Sequence, residues 1–210
     1  DFERDKWSRP ARAMLQLGAA SAARFADALT AVSADTARWF EARGHRVWLT
    51  PNGVDVPEPV PLSAAGQQDL EPGYALILGR LVPEKRVELA IQAHARAEVD
   101  QPLLVVGGHS HTRAYVRRLQ AMAGPRVRFL GHQRGAAKEA LLQHAGAVLF
   151  PSRLEGMPLA LLEAMAAARQ VLVSPIGAHT EVLAGSDAGI VVADAQPETW
   201  ARALERALDH

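Results

Sequence analysis

From Tyr74 onward, the sequence alternates short apolar runs with segments of helical periodicity, and this alternation constrains the fold more than any other feature. The predicted strands are Tyr74–Leu78, Leu103–Val106, Val127–Leu130, Ala147–Phe150, Val171–Ser174 and Ile190–Val192. The predicted helices are Glu84–Glu98, Thr112–Met122, Ala136–His144, Leu159–Ala168, Thr180–Leu183 and Pro197–Leu208. The strands are continuously apolar, as expected where helices cover both faces of a sheet. The pattern therefore predicts an α/β fold with a doubly wound parallel sheet.

The sequence before Tyr74 predicts two further regions. The expected elements of the first are helices over Trp7–Ala28 and from Ser33 or Asp35 to Arg43, and strands at Thr30–Ser33 and Val47–Thr50. Two short strands are unlikely to form a sheet core of their own. We therefore interpret residues 1–53 as the remnant of a truncated amino-terminal α/β domain. Residues 54–73, rich in proline and glycine, are interpreted as an interdomain linker with one helical turn, and residues 74–210 as the ligand-binding domain.

Composition excludes several classes of function. The 23 Lys and Arg residues balance 23 Asp and Glu residues, so no basic field favours nucleic acid as a partner. Cysteine is absent, which excludes disulfides and thiolate chemistry and suits the cytoplasm. No apolar run approaches the length of a membrane span, and Asp1 to Lys6 is too charged for a signal peptide. Because the chain lacks an initiator methionine, we expect it to be a piece of a longer protein.

A candidate binding stretch follows the predicted strand Ala147–Phe150. Gly156 and Pro158 open a helix whose first N–H groups lack partners and whose dipole leaves partial positive charge there, which suits phosphate. Glu155 and Glu163 bracket this helix start, and a carboxylate accepts two hydrogen bonds from a vicinal diol. A nucleoside diphosphate sugar has this layout. The alternative interpretation is that Glu155 only complements the dipole and Glu163 is a solvated helix residue.

A second group of residues follows the first strand of this domain. Gly79 permits a close backbone approach, Arg80 offers a bidentate fork, and Lys85 adds a compact positive charge at the start of the next helix. A cation opposes the dipole there, so Lys85 indicates an anion nearby. Two cations after a strand fit a diphosphate. The alternative is a surface Arg80 paired with Glu84 and a solvated Lys85.

Taken together, these segments resemble the large "group 1" family of retaining glycosyltransferases with the GT-B fold. The matching segments are Gly79-Arg80 with Lys85, Phe129-Leu130-Gly131, Pro151-Ser152 to Glu155-Gly156, Leu162-Glu163-Ala164-Met165, and Gly177 with Glu181. The match covers residues 74–193, and Pro51-Asn52-Gly53-Val54-Asp55 resembles the family's link between its two domains. The resemblance implies a Rossmann-like carboxy-terminal domain that binds a nucleotide-sugar donor.

The resemblance also implies roles for individual residues. The implied donor-binding residues are Gly79, Arg80, Lys85, His132, Glu155, Gly156, Met157, Leu159 and Glu163, of which Glu155, Arg80 and Lys85 are implied to be catalytic. Arg80 and Lys85 match the pair that neutralises the diphosphate. Glu155 and Glu163 match the two acids of the E-x7-E motif, the first near the transferred sugar and the second on the ribose. His132 lies where the family cradles the base, and His179, just before a predicted helix, could approach the donor, although a surface or capping role is the simpler interpretation of both residues.

The donor implied by the resemblance is a UDP- or GDP-sugar, without a cofactor and without a metal, since no Asp-x-Asp is present to hold one. The acceptor stays unknown because acceptor recognition lies in the largely missing amino-terminal domain, and peripheral membrane association of the parent stays open. We expect the truncated chain alone to bind donor and to be inactive. A dinucleotide-dependent oxidoreductase or a P-loop NTPase is disfavoured because G-x-G-x-x-G and G-x-x-x-x-G-K-[ST] are absent. A non-catalytic nucleotide-sugar-binding module and a GT-B epimerase remain as alternatives.

Overall fold

The computed structural model describes residues 8–108 and 112–209, and the chain divides into two compact units after Asn52. The first unit contains helix α1 (Arg9–Phe25), strand β1 (Leu29–Ala31), helix α2 (Ala34–Glu41) and strand β2 (Val47–Leu49). Strands β1 and β2 pair in parallel. Of the two caps expected for α2, Ser33 is the one used, since its Oγ accepts a hydrogen bond from Thr36 N at 3.4 Å.

The second unit is a six-stranded parallel sheet with helices on both faces. Its strands are β3 (Ala75–Leu78), β4 (Leu103–Val106), β5 (Val127–Gly131), β6 (Ala147–Phe150), β7 (Gln170–Val173) and β8 (Gly189–Val191). Its α-helices are α3 (Val87–Arg96), α4 (Arg113–Met122), α5 (Gly135–Gln143), α6 (Leu159–Ala166), α7 (Gly177–Leu183) and α8 (Pro197–Leu208). The predicted doubly wound fold is confirmed, and each predicted strand is found to within one residue at either end.

The order of the strands across the sheet is β5-β4-β3-β6-β7-β8. The chain therefore builds outward from β3 to β5, returns to place β6 on the other side of β3, and continues to β8. In open parallel sheets, ligands bind at the carboxyl ends of the strands where the order reverses in this way. By this rule we expect the ligand site at the carboxyl ends of β3 and β6, which pair with each other directly.

Two apolar clusters cover the two faces of this sheet. Helices α3, α4 and α8 lie on one face, where Leu119, Trp200 and Leu204 are fully buried. Helices α5 and α6 lie on the other, with Leu141 and Leu161 fully buried. All four residues of β4 and of β6 are buried, as the continuous apolar runs predict.

The segment that we interpret as a linker packs against α5 as part of the second unit. It contains a 3-10 turn, Leu62–Ala65, and buries Ala65 and Leu70 in the cluster beside α5. The side chain of Gln143 accepts a hydrogen bond from Val60 N at 2.9 Å. The segment is thus ordered and packs against one side of α5. The division of the chain into a remnant, a linker and a ligand-binding domain stays a prediction.

One predicted helix is divided into two elements in the structure. The expected helix Glu84–Glu98 consists of a 3-10 turn, Pro83–Lys85, followed by α3 from Val87. Arg86 separates them with φ of 48°, in the left-handed region that a continuing right-handed helix excludes. Lys85 therefore lies in a tight turn before α3, and the expected placement of Lys85 at the helix start is wrong.

Candidate nucleotide-sugar site

The loops that follow β3 and β6 are joined by a backbone hydrogen bond and an ion pair. Arg153 N donates to Glu84 O at 3.0 Å, which holds the two loops side by side. The Lys85 ammonium pairs with Glu155 Oε1, and only 20% and 12% of the two side chains are exposed. The structure thus brings together two residues that are 70 positions apart in sequence, at the carboxyl ends of neighbouring strands.

Backbone packing fixes the first part of the loop after β3. Gly79 N donates to Val106 O at 3.0 Å, and Leu81 N donates to Gly108 O at 2.9 Å. A Cβ atom on Gly107 would lie 1.7 Å from the Gly79 carbonyl oxygen, so this approach requires glycine at position 107. Gly79, Arg80 and Lys85 line a small cleft at this point, together with Ser152. Arg80 itself is exposed to solvent, so its fork is available to a ligand.

The start of α6 lies just beyond Glu155. Leu159 is the first residue of α6, and Pro158 is its N-cap residue. The side chain of Pro158 makes no capping hydrogen bond. Because the first N–H groups of a helix have no partner within it, this end of α6 offers donors to an anion. Gly156 and Leu159 are exposed.

Glu163 lies in α6 and is held by a residue of α5. Lys138 Nζ is 2.8 Å from Glu163 Oε1 and 3.2 Å from Glu139 Oε1. Partial burial opposes the charge on Lys138, but hydrogen bonds and the charges of both glutamates outweigh it, so the pKa of Lys138 lies above its usual value. The Glu163 side chain is 29% exposed, so one carboxylate oxygen has a fixed cationic partner and the group still reaches solvent.

His132 follows the end of β5 and is separated from β3 by the whole of β4. It is exposed, and its Nε2 accepts a hydrogen bond from Arg134 Nε at 2.7 Å. The structure therefore places His132 at the same edge of the sheet as Glu155, two strands away from the ion pair. Its assignment to the base pocket stays a prediction.

His179 is fully buried, so its interpretation as a surface or capping residue is wrong. It lies inside α7, which begins at Gly177, three residues before the predicted start. Its Nδ1 is 3.1 Å from Ser174 O, and its ring meets Phe150 edge to face. Burial lowers the pKa of His179; the hydrogen bond to Ser174 and the charge of Glu155 oppose this shift, while the charge of Lys85 adds to it.

Sequence reasoning missed Lys138 as a partner of the site. Of the chain's 23 basic residues, only Lys6, Lys85 and Lys138 are lysines, against 20 arginines. Two of these rare lysines contact the two glutamates of the predicted motif. The sequence feature that could have identified Lys138 is the scarcity of lysine in an arginine-rich chain.

The buried histidines predict a loss of stability in mild acid. The pKa of His94 is also lowered, chiefly by burial and additionally by the charge of Arg126, although its hydrogen bond to Gln101 opposes the shift. Below pH 6.5 the unfolded chain binds protons that the folded chain excludes, so the free energy of unfolding falls with pH, by up to about 1.4 kcal/mol per pH unit for each histidine. We expect the melting temperature to fall between pH 7.5 and 5.5, and to fall less for His94→Gln. Equal decreases in the two proteins would contradict this assignment.

The described residues contain neither a candidate metal centre nor a candidate membrane span. In the ranges 8–108 and 112–209, no three His, Cys, Asp or Glu side chains are grouped so that they could hold a metal ion. Among the helices of those ranges, none combines the length and apolar character of a membrane span.

The strand order defines a doubly wound α/β domain, with a cationic turn after β3 and an acidic loop after β6 at the point where the order reverses. Comparison with known proteins makes this specific. The sequence model of the family "Glycosyl transferases group 1" matches residues 62–210, so the chain belongs to that family. The resemblance noted from the sequence is confirmed.

Individual relatives support the same assignment. The chain is 34% identical over 146 residues to an uncharacterized glycosyltransferase of Methanocaldococcus jannaschii, covering 68% of this chain and 37% of that protein. It is 31% identical over 193 residues to a D-inositol 3-phosphate glycosyltransferase of Salinispora tropica, covering 80% and 40%. Anabaena HepE, crystallised with UDP and glucose, superposes with a TM-score of 0.83 at 21% identity, over 99% of this chain and 60% of HepE, and shows the GT-B fold. The chain thus spans well under half the length of these two curated relatives.

Proposed function

We propose that this chain is the donor half of a metal-independent retaining glycosyltransferase of the cytoplasm, and that it binds a nucleoside diphosphate sugar between the ends of β3 and β6. In the full-length protein, the sugar would pass to an acceptor with retention of configuration. The observation that carries the proposal is the meeting of the Lys85 turn and the Glu155 loop where the strand order reverses. The complex of HepE with UDP and glucose supports a nucleotide sugar as the ligand class, and the names of the curated relatives support glycosyl transfer as the reaction.

The diphosphate would lie among the positive groups. The exposed guanidinium of Arg80 can grip one phosphate with two parallel hydrogen bonds, and the Lys85 ammonium retains further N–H groups beyond the one given to Glu155. The first N–H groups of α6 add donors and partial positive charge. As the glycosidic bond breaks, charge grows on the leaving diphosphate, and these fixed donors stabilise it without a metal ion.

The two acids would bind the two sugars. Glu163, with one oxygen held by Lys138, has acceptor capacity left for the hydroxyl pair of the ribose. Glu155, with one oxygen held by Lys85, can accept from a hydroxyl of the transferred sugar. Both carboxylates therefore have a cationic partner before the negatively charged donor arrives.

Calorimetric titration of the chain with UDP-glucose and GDP-mannose tests the proposal. We expect saturable binding of one of the two, and binding about tenfold weaker for Glu163→Ala, since the variant loses hydrogen bonds to a charged acceptor. Glu198→Ala is the matched control, because Glu198 lies on α8 and pairs with Arg96 on the surface. Wild-type protein that binds neither donor, or equal affinities for Glu163→Ala and wild type, would contradict the proposal.

A further inference from the structure

A row of buried polar side chains lies directly beneath Glu155. Ser152, Ser174 and His179 are 1%, 4% and 0% exposed, in a part of the sheet that is otherwise apolar. Buried hydroxyl and imidazole groups are costly unless each hydrogen bond is made. The hydrogen bonds that these three side chains make are therefore important for the structure.

Each proton in the row has a defined acceptor. Ser152 Oγ donates to Glu155 Oε1 at 2.8 Å, the oxygen that also pairs with Lys85. Ser174 Oγ donates to the carbonyl oxygen of Ser152, and Ser174 N donates to Phe150 O at 3.1 Å. His179 Nδ1 lies 3.1 Å from Ser174 O and 3.2 Å from Ser174 Oγ, and because a carbonyl only accepts, the first contact requires the ring's proton on Nδ1. His179 Nε2 is then a buried acceptor with no partner among the described residues. The row thus runs in one direction, from the histidine through two serines to the carboxylate.

We propose that Ser152 is a positioning residue that fixes the orientation of Glu155, with Ser174 and His179 holding Ser152 in place. This inference rests on the proposed nucleotide-sugar site. When a diphosphate binds, Lys85 is attracted to it and Glu155 is repelled by it, so the ion pair alone cannot keep the carboxylate in one place. The hydroxyl of Ser152 is uncharged and buried, and its hydrogen bond holds Oε1 while Oε2 stays free for the sugar.

A positioning role and a purely structural role of Ser152 predict different effects on the affinities for UDP and UDP-glucose. A hydrogen bond to a charged group that fixes Glu155 should affect the part of the affinity that comes from the sugar and leave the affinity for UDP alone unchanged. A defect that only loosens the fold should weaken both ligands together. The ratio of the dissociation constants of UDP and UDP-glucose therefore reports on positioning.

The test measures this ratio for wild type, Ser152→Ala, Glu155→Ala and the double variant. We expect Ser152→Ala to reduce the ratio about tenfold, with Ser174→Ala causing a smaller reduction because it acts through Ser152. The double variant should equal Glu155→Ala alone, since Glu155→Ala removes the acceptor of the Ser152 hydrogen bond. His94→Ala is the control, because His94 is as buried but bonds to Gln101 O, just before β4. A wild-type ratio in Ser152→Ala, or equal losses for UDP and UDP-glucose, would overturn the inference.

A second measurement separates this inference from the proposed function. Thermal unfolding of the same four proteins without ligand measures the coupling of Ser152 to Glu155 directly. We expect Ser152→Ala to lower the melting temperature by about 2–4 °C, and by clearly less in the Glu155→Ala background. Absence of donor binding in wild type, with this coupling present, would reject the proposed function and support the hydrogen-bonded row. Additive melting shifts would reject the positioning of Glu155 by Ser152 whatever the ligand result.

Discussion

Lys85→Ala should weaken the binding of UDP-glucose by about 100-fold, because two effects act together. The variant loses a charge-assisted hydrogen bond to the diphosphate, a contact of about 1.5–3 kcal/mol. It also leaves Glu155 without its cationic partner, so a largely buried carboxylate faces the incoming negative charge. Calorimetric titration of the variant and the wild type at constant ionic strength measures the difference.

A double variant separates the two effects. In Lys85→Ala/Glu155→Ala the repulsion is gone, so this protein should bind UDP more tightly than Lys85→Ala alone. Arg96→Ala serves as the control, since it removes a cation that pairs with Glu198 on an exposed surface. If Lys85→Ala binds like wild type, or the double variant binds UDP more weakly than the single variant, the ion pair does not belong to the donor site.

Gly107→Ala should destabilise the second unit by at least about 3 kcal/mol and abolish donor binding. The new Cβ atom would lie 1.7 Å from Gly79 O and 2.9 Å from Gly79 C, which are backbone atoms of a turn fixed by hydrogen bonds. Overpacking of this kind costs about 1–3 kcal/mol even where side chains can move, and more where backbone must. Urea unfolding measures the stability, and titration with UDP-glucose measures the binding.

Gly124→Ala is a suitable comparison because no atom lies within 4 Å of its expected Cβ position. We expect this variant to unfold at the wild-type urea concentration or slightly above it, since alanine restricts the unfolded chain. If Gly107→Ala is as stable as Gly124→Ala, the loop after β3 can rearrange at little cost in free energy. The close approach of Gly107 to Gly79 would then not determine the geometry of the site.

Much of the fold could be predicted because one physical pattern repeats through it. Strands β4 and β6 match their predictions residue for residue, since a strand covered on both faces must be apolar throughout. The break at Arg86 was not predictable. Helical periodicity continues through Glu84 to Glu98, and the left-handed conformation of Arg86 depends on how its turn packs at the end of β3. Tertiary packing decided this boundary, not local preference.

For the candidate site, the sequence predicted the loops that its residues occupy better than the contacts between them. Glu155 and Lys85 were assigned to different parts of a ligand, yet in the structure they pair with each other. Sequence gives the loop that each residue occupies, but the register of β3 against β6 determines that the two side chains meet. The burial of His179 was missed for a related reason, because its ring packs against Phe150 of β6, a strand that is distant in sequence.

The ordered segment against α5 also bears on what constitutes a folding unit here. Ala65 and Leu70 belong to the same apolar cluster as Leu141, and the backbone of Val60 bonds to Gln143. A truncated protein that begins at Tyr74, where the apolar run of the first strand begins, would expose one side of α5 to solvent. It would also remove the hydrogen bond between Val60 N and the side chain of Gln143. The physical start of the second unit therefore lies upstream of Val60, ahead of residue 62, where the match to the family's sequence model begins.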